Sequence, residues 1–135
     1  MLDSDILSAV LKAKDPAVVQ KAESYLAASQ QLSFTSLSVF ELLYGLLAKQ
    51  ALRQAKEFLA FTVEHEEIVP TAEDYRLAAQ IRADLRRSGR EIGRVDPIIA
   101  ACALNRDIEL VTGNLRHYEA IWDVGFAIRL ANWRV

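Results

Sequence analysis

From Ile98 to Leu104 every residue is apolar, so a helix here is apolar on nearly every face and has to be buried. Asp96-Pro97 is a helix start: the carboxylate can accept orphan N–H groups of the first turn, and proline suits the first helical position because it lacks an N–H. After a polar break at Asn105 to Asp107, Ile108 to Thr112 reads as a short strand. Gly113-Asn114 then breaks the strand with the two residues that best tolerate positive φ. An acid at a helix start and a polar residue past a strand end can thus face one cleft, with the remaining chain folded around them.

Period and punctuation organise the rest. Met1 to Asp3 reads as the end of a strand and Ile6 to Lys14 as a helix, while Asp15-Pro16 starts another helix running to about Gln30. Leu32 to Thr35 is a strand. Ser38 with Glu41 fits a capping box that opens a long helical stretch to Glu64, broken near Lys49 to Leu52. Glu67 to Val69 is a strand stopped by Pro70, and Thr71 begins a helix through Arg87 that Gly89 ends. A short helix near Leu115 to Ala120 and a strand near Ala127 to Leu130 close the chain. Short strands alternating with helices predict an α/β fold, a mostly parallel sheet covered on both faces, with ligands gathering at the carboxyl ends of its central strands.

At 135 residues the chain has room for one domain with a real core, expected to span 1–135. The 52% apolar content argues against disorder. With no apolar run long enough for a membrane span and no signal-like opening, the expected location is the cytoplasm. The lone Cys102 sits in the apolar helix and reads as a small buried hydrophobe. A net charge of −2 argues against binding nucleic acid by bulk attraction, but the charges are uneven. Between Arg76 and Arg106 seven arginines face three acids, just after a block of Glu64, Glu66, Glu67, Glu73 and Asp74. Arginine pairs with phosphate through a planar fork of donors, so this region suits a phosphodiester; a solvated helix face explains Arg82, Arg86 and Arg87 equally well.

Asp3 sits at a strand end, Glu41 and Asp96 open helices, and Asn114 follows a strand. Each has a plain explanation: Asp3 or Ser4 as a cap of the first helix, Glu41 as half of the capping box, Asp96 as an N-cap, Asn114 as a turn residue. Together they mean more, because carboxylates gathered in one cleft repel one another unless a cation joins them, and hard oxygen ligands suit Mg²⁺ or Mn²⁺.

Four segments, MLDSDILSAVL, TSLSVFELLYGL, IGRVDPIIAACAL and LVTGNLRHYEAI, resemble in order and separation the successive motifs of PIN-domain ribonucleases, in particular the VapC toxins of bacterial toxin–antitoxin pairs. The resemblance covers essentially the whole chain. It implies a three-layer α/β/α sandwich with a mostly parallel central sheet, Mg²⁺- or Mn²⁺-dependent endoribonuclease activity, homodimers, and a VapB-like antitoxin that blocks the site. Residue by residue, it implies that Asp3, Glu41 and Asp96 are the metal-binding acids. It also implies that Asn114 orients a water or a ligand, with Ser4, Asp5 and Ser36 in support. Hydrolysis of this kind leaves a 5′-phosphate and a 3′-hydroxyl. Arg82, Arg86, Arg90, Arg94 and Arg116 are the candidates for contact with the RNA backbone, and His117 either lines the cleft or covers a surface.

The chain departs from the family pattern in places. Ser4 stands where a threonine is usual and keeps the hydroxyl. Asp5 replaces an asparagine and adds charge near the cation, and Gly113 stands where another asparagine is common. The chain begins two residues before Asp3, which makes the first central strand short, and the true start could lie upstream. Two alternatives remain at this stage. One is a PIN fold kept as a silent binding module. The other is a haloacid-dehalogenase-type phosphatase, which the Asp3-x-Asp5 pair would suit but which needs a downstream lysine, and none follows Lys56.

Overall fold

The structure is a computed structural model and describes residues 1–29 and 31–135. Along the chain lie α1 (Ser4–Lys12), α2 (Pro16–Ser29), β1 (Ser33–Thr35), α3 (Ser36–Ala48), α4 (Leu52–Glu64) and β2 (Glu66–Ile68). Then follow α5 (Ala72–Arg87), α6 (Asp96–Arg106), β3 (Leu110–Val111), α7 (Leu115–Asp123) and β4 (Leu130–Ala131). Gln30, the expected end of α2, lies outside the described residues. Among those described, no helix is long and apolar enough to cross a membrane.

The residues 1–3 hold the sheet together. β1 pairs parallel with β2, and β3 pairs parallel with β4. Leu2 bridges Phe34 of β1 on one side and Val111 of β3 on the other, both parallel. The Leu2 N–H donates to the Ser33 carbonyl at 2.7 Å, and the Asp3 N–H to the Val111 carbonyl at 2.9 Å. Five parallel segments therefore run in the order β2, β1, 1–3, β3, β4. The chain works outward from its centre to one edge, then starts again on the other side, so strand order reverses between residues 1–3 and β3. Because Leu2, Phe34 and Val111 are level, the next residues Asp3, Thr35 and Thr112 emerge together at the carboxyl edge.

Alternation of side chains divides the interior into two cores. Leu2, Phe34 and Val111 pack with Ile6, Leu7, Val18 and Phe58 on the side of α1 to α4. Met1, Leu110 and Ile68 pack with Ile81, Ile99 and Ile121 on the side of α5 to α7. The sandwich has its three layers, helices over both faces of a parallel sheet. Each fully buried Ile, Leu or Phe contributes about 1.5–3 kcal/mol. The apolar stretch 98–104 forms the middle of α6, where Ile99 to Ala103 are fully buried. Cys102 is among them, and burial pushes its thiol up to about 12.

Several local expectations need correction. Glu41 does not form a capping box with Ser38: α3 starts earlier, and Thr35 is its N-cap, its hydroxyl accepting from the Ser38 N–H at 3.2 Å. Asp96 is not an N-cap but the first helical residue of α6, after Val95, and makes no capping bond. Asn114 has φ −100°, and Gly113 also lies outside the left-handed region. What selects glycine there is space, since a Cβ would stand 2.6 Å from Asp5 Oδ2. The last strand falls at Leu130–Ala131, and the supposed break at Asn105 is still helix, which ends with Asp107 at φ 51°.

Asn105 and Arg106 stay helical because their side chains have a buried partner. Asp74, 1% exposed, forms a capping box with Thr71 at the start of α5. It also accepts Arg106 through both oxygens, at 3.0 and 3.1 Å, and Asn105 Nδ2 at 2.8 Å. Burial works against the charge of Asp74, but Arg106, the Thr71 N–H and Asn105 outweigh it and hold the carboxyl well below the usual range. The resulting stability is complete above the ordinary carboxylate range and is lost as pH falls below it. Replacing Asp74 with alanine removes the box and leaves Arg106 unpaired, with an expected cost of about 3 kcal/mol by urea unfolding at pH 7.

Candidate active site

The carboxyl edge gathers the polar groups. Asp3, 6% exposed, is the N-cap of α1, its Oδ1 accepting the Ser4 N–H at 2.9 Å. The plain reading of Asp3 as a cap therefore holds, yet it accounts for one oxygen only. Oδ2 accepts the Thr112 hydroxyl at 2.9 Å, and Thr112 Oγ1 in turn accepts the Asn114 N–H at 2.9 Å. Alternation across the strand turns Asp3 away from Leu2, toward α6 and α7.

Asp96, at the start of α6, has its Oδ2 3.0 Å from Nδ1 of His117 on α7, and the same nitrogen lies 2.9 Å from Nδ2 of Asn114. A carboxylate only accepts, so Nδ1 is the donor toward Asp96, and it then takes no bond from the Asn114 N–H groups, which it meets as neighbours only. Asn114, His117 and Asp96 thus form one chain of contacts, and His117 lines the cleft. Beside Asp3 and Asp96 stands the hydroxyl of Tyr118, fully buried and facing both carboxylates, though with neither in good hydrogen-bond geometry. Burial and the charges of Asp3 and Asp96 push this phenol well above its ordinary value.

Glu41 stands off from this pair. Its Oε1 accepts from Ser4 Oγ at 2.8 Å, and the Ser4 oxygen also meets Ser38 Oγ at 2.9 Å, which continues to Thr35 at 3.4 Å. Glu41 is thereby tied to Asp3 through its chain neighbour rather than by direct contact. Asp5 turns to the backbone, accepting the Ile6 N–H at 2.8 Å and the Gly113 N–H at 2.9 Å. Its two departures from the family pattern, Asp5 and Gly113, are one contact. The second acid of the phosphatase reading is therefore engaged with backbone and not poised as a general acid. Ser36 is not brought to the edge, because its hydroxyl bonds Glu67 at 3.0 Å on the surface; Ser38 supplies the hydroxyl near Ser4 instead.

The arginines divide. Arg94 and Arg116 are exposed on the segments that lead into Asp96 and out of Asn114. Arg82 and Arg86 are exposed on α5, and Arg90 pairs with Asp123 at 2.7 Å. Reading the sequence missed Thr112, Ser38 and Tyr118. For Tyr118 a signal existed: one helical turn after Asn114, it shares a face with it.

Among the described residues no set of three or more His, Cys, Asp and Glu side chains is arranged to hold an ion. Asp3 and Asp96 are two carboxylates with oxygen donors only, which suits Mg²⁺ or Mn²⁺, since such ions keep several waters beside one or two protein acids. The fit also shows in the charge of the site. Burial raises Asp3 to about 6, with Asp5 and Asp96 adding to the rise while Ser4 and Thr112 oppose it. A raised carboxyl binds its proton more tightly in the native state than in the unfolded one. Ionising it costs stability, increasingly as pH climbs from about 4 toward 6, and in full above that. In buffer free of divalent ions at pH 7, Asp3→Asn is expected to raise stability by roughly 1–3 kcal/mol in urea titrations. Wild type should narrow that gap when Mn²⁺ is added.

Known proteins place this geometry in a family. The model of the PIN domain matches residues 1–122. The tRNA(fMet)-specific endonuclease VapC of Shigella flexneri is 32% identical over 126 residues, covering 90% of each chain. Among solved structures, VapBC2 from Rickettsia felis bound to a DNA fragment from its promoter superposes with a TM-score of 0.83 at 25% identity, covering 98% of this chain and 97% of that one. DNA-bound VapBC from Salmonella typhimurium gives 0.81 at 28%, covering 98% and 96%. The motifs, the five parallel segments and the acids at their carboxyl edge agree with these matches: the chain belongs to the PIN domain family.

Proposed function

We infer that this chain, acting as one domain over 1–135, is a metal-dependent endoribonuclease and the toxin of a toxin–antitoxin pair. The observation that carries the reading is the Asp3–Asp96 pair at the reversal point of a PIN-family sheet, where Asp3 is buried with two hydrogen-bond donors but no cationic side chain paired with it among the described residues. The relatives named above as a tRNA endonuclease and as VapBC complexes support RNA as substrate and a VapB-like antitoxin as partner.

Asp3 and Asp96 would hold Mg²⁺ or Mn²⁺, with Glu41 reaching it through water. When bound, the ion supplies Lewis acidity to a phosphodiester oxygen and lowers the pKa of a water. The protein's own groups set the geometry. Ser4 and Thr112 fix the two oxygens of Asp3, and His117 fixes one oxygen of Asp96. Asn114, kept beside His117, orients a water or a substrate oxygen at the rim. Arg94 and Arg116, exposed on either side, are suited to neutralise the flanking phosphates, with Arg82, Arg86 and Arg90 further along.

The surface supports protein partners as well. On α3, Phe40 is 71% exposed, and with Leu43, Tyr44 and Leu47 it borders an open apolar groove of about 550 Å³. Apolar patches of this kind mark interfaces, and this one suits both the antitoxin and a second copy in a homodimer. Glu41 lies on the same helix, so a partner seated there would sit next to the acids.

The test is cleavage of total cellular RNA by the purified chain with Mg²⁺, with Mn²⁺ and with EDTA, beside Asp96→Asn. Discrete products that need the ion and fall at least about a hundredfold in the variant are expected. Equal cleavage by both proteins contradicts the assignment, and a chain that neither cleaves nor binds the ion is the silent binding module.

A further inference from the structure

His117 carries two ring nitrogens, and the fold uses one. It lies in the first turn of α7, where its own N–H bonds the Asn114 carbonyl at 3.2 Å, and the next residue, Tyr118, turns into the core. The side chain of His117 is 46% exposed and meets Asp96 Oδ2 at 3.0 Å through Nδ1. Asp96 only accepts, so Nδ1 carries the hydrogen, and in the neutral ring the lone pair then belongs to Nε2. Nε2 makes no hydrogen bond among the described residues. A hard cation does not claim it either, since Mg²⁺ takes oxygen and leaves imidazole to softer ions. The bond to Asp96 also keeps the ring from exchanging its nitrogens. The rim of the cleft thus presents one uncharged acceptor, fixed in place by an acid of the site.

Such an acceptor does not suit a phosphate, whose oxygens are acceptors themselves, but it suits a hydroxyl. Hydrolysis that leaves a 3′-hydroxyl cuts the bond between phosphorus and a 3′-oxygen, and the ribose on that side carries its 2′-hydroxyl on the adjoining carbon. With Asp96 on the ion and the ion on the scissile phosphate, as read above, that hydroxyl comes within reach of a ring bonded to Asp96. We propose that His117 is a specificity-determining residue, its Nε2 accepting the 2′-hydroxyl of the nucleotide on the 3′-oxygen side of the cut. The proposal rests on the nuclease reading and adds to it the group that recognises the sugar. The 2′-hydroxyl is what tells RNA from DNA at a given site, and a deoxy substrate leaves Nε2 desolvated and unpaired. The 2′-oxygen keeps its proton and attacks nothing, so the products still end in a 5′-phosphate and a 3′-hydroxyl.

The experiment uses the full chain in Mg²⁺ at pH 8, with synthetic oligonucleotides that span the strongest cut mapped in total cellular RNA. One is all RNA, one has a single 2′-deoxy nucleotide on the 3′-oxygen side of the cut, and one has 2′-fluoro there. Fluorine keeps an RNA-like sugar pucker but cannot donate. Wild type is compared with His117→Asn, whose amide can still donate to Asp96 but has nothing at the place of Nε2. The readout is the ratio of kcat/KM between oligonucleotides. Wild type is expected to favour the ribose over both replacements by about tenfold, the size of one hydrogen bond, and the variant to lose most of that preference. A role confined to holding Asp96 would slow all cuts alike and leave the ratio unchanged, which overturns the proposal. Wild type that cuts the fluoro or deoxy oligonucleotide as well as the RNA overturns it too. So do products ending in a 2′,3′-cyclic phosphate, which would make the 2′-oxygen the nucleophile. If wild type cuts no RNA in Mg²⁺, it is the nuclease reading that fails, and the role of His117 with it.

Discussion

Leu2 is hydrogen-bonded into the middle of the sheet, with Phe34 on one side and Val111 on the other, and much of the molecule follows from that pairing. It joins two strand pairs that would otherwise be separate, and it sets Asp3, Thr35 and Thr112 level at one edge. Asp3 is therefore buried because its neighbour is central, and the side chain has nowhere to go but toward α6 and α7. The helices arrange themselves accordingly. α1 begins at once after Asp3, α3 at once after Thr35, and both bring hydroxyls, Ser4 and Ser38, to the same edge.

A carboxylate placed so deeply is costly, and the structure meets the cost only in part. Ser4 and Thr112 each give Asp3 one donor, but no cationic side chain is paired with it among the described residues. Asp74 shows the contrast within one molecule. It is buried as deeply, yet Arg106 grips both its oxygens, and its carboxyl is depressed where that of Asp3 is raised. Asp74 thus fastens α5 to α6, whereas Asp3 has no such partner within the described residues.

Much of the fold was legible in the sequence because apolar runs and punctuation carry it. The buried helix after Asp96, the proline at its start, Thr71 as a cap and the alternation of short strands with helices all appear in the structure. Boundaries failed where a side chain reached a distant partner: Asn105 and Arg106 look like a polar break, and remain helical because Asp74 receives them. Gly113 was attributed to backbone conformation, when the reason is the Asp5 carboxylate packed against it, a residue 108 positions away. At the carboxyl edge, the placing of Asp3, Asp96 and Asn114 was legible because carboxylates and turn residues at element ends are conspicuous. Thr112 was not, since a threonine ending a strand passes as an ordinary strand residue until the third dimension aims its hydroxyl at Asp3, and Tyr118 was marked only by its helical spacing from Asn114.

The most direct measurement is the anomalous diffraction of a crystal of the protein soaked in Mn²⁺. The account predicts a peak between the carboxylates of Asp3 and Asp96, with water completing the coordination and Glu41 reached through one of those waters. A peak held by other residues, or an empty pair of acids in a crystal that binds Mn²⁺ elsewhere, would contradict it.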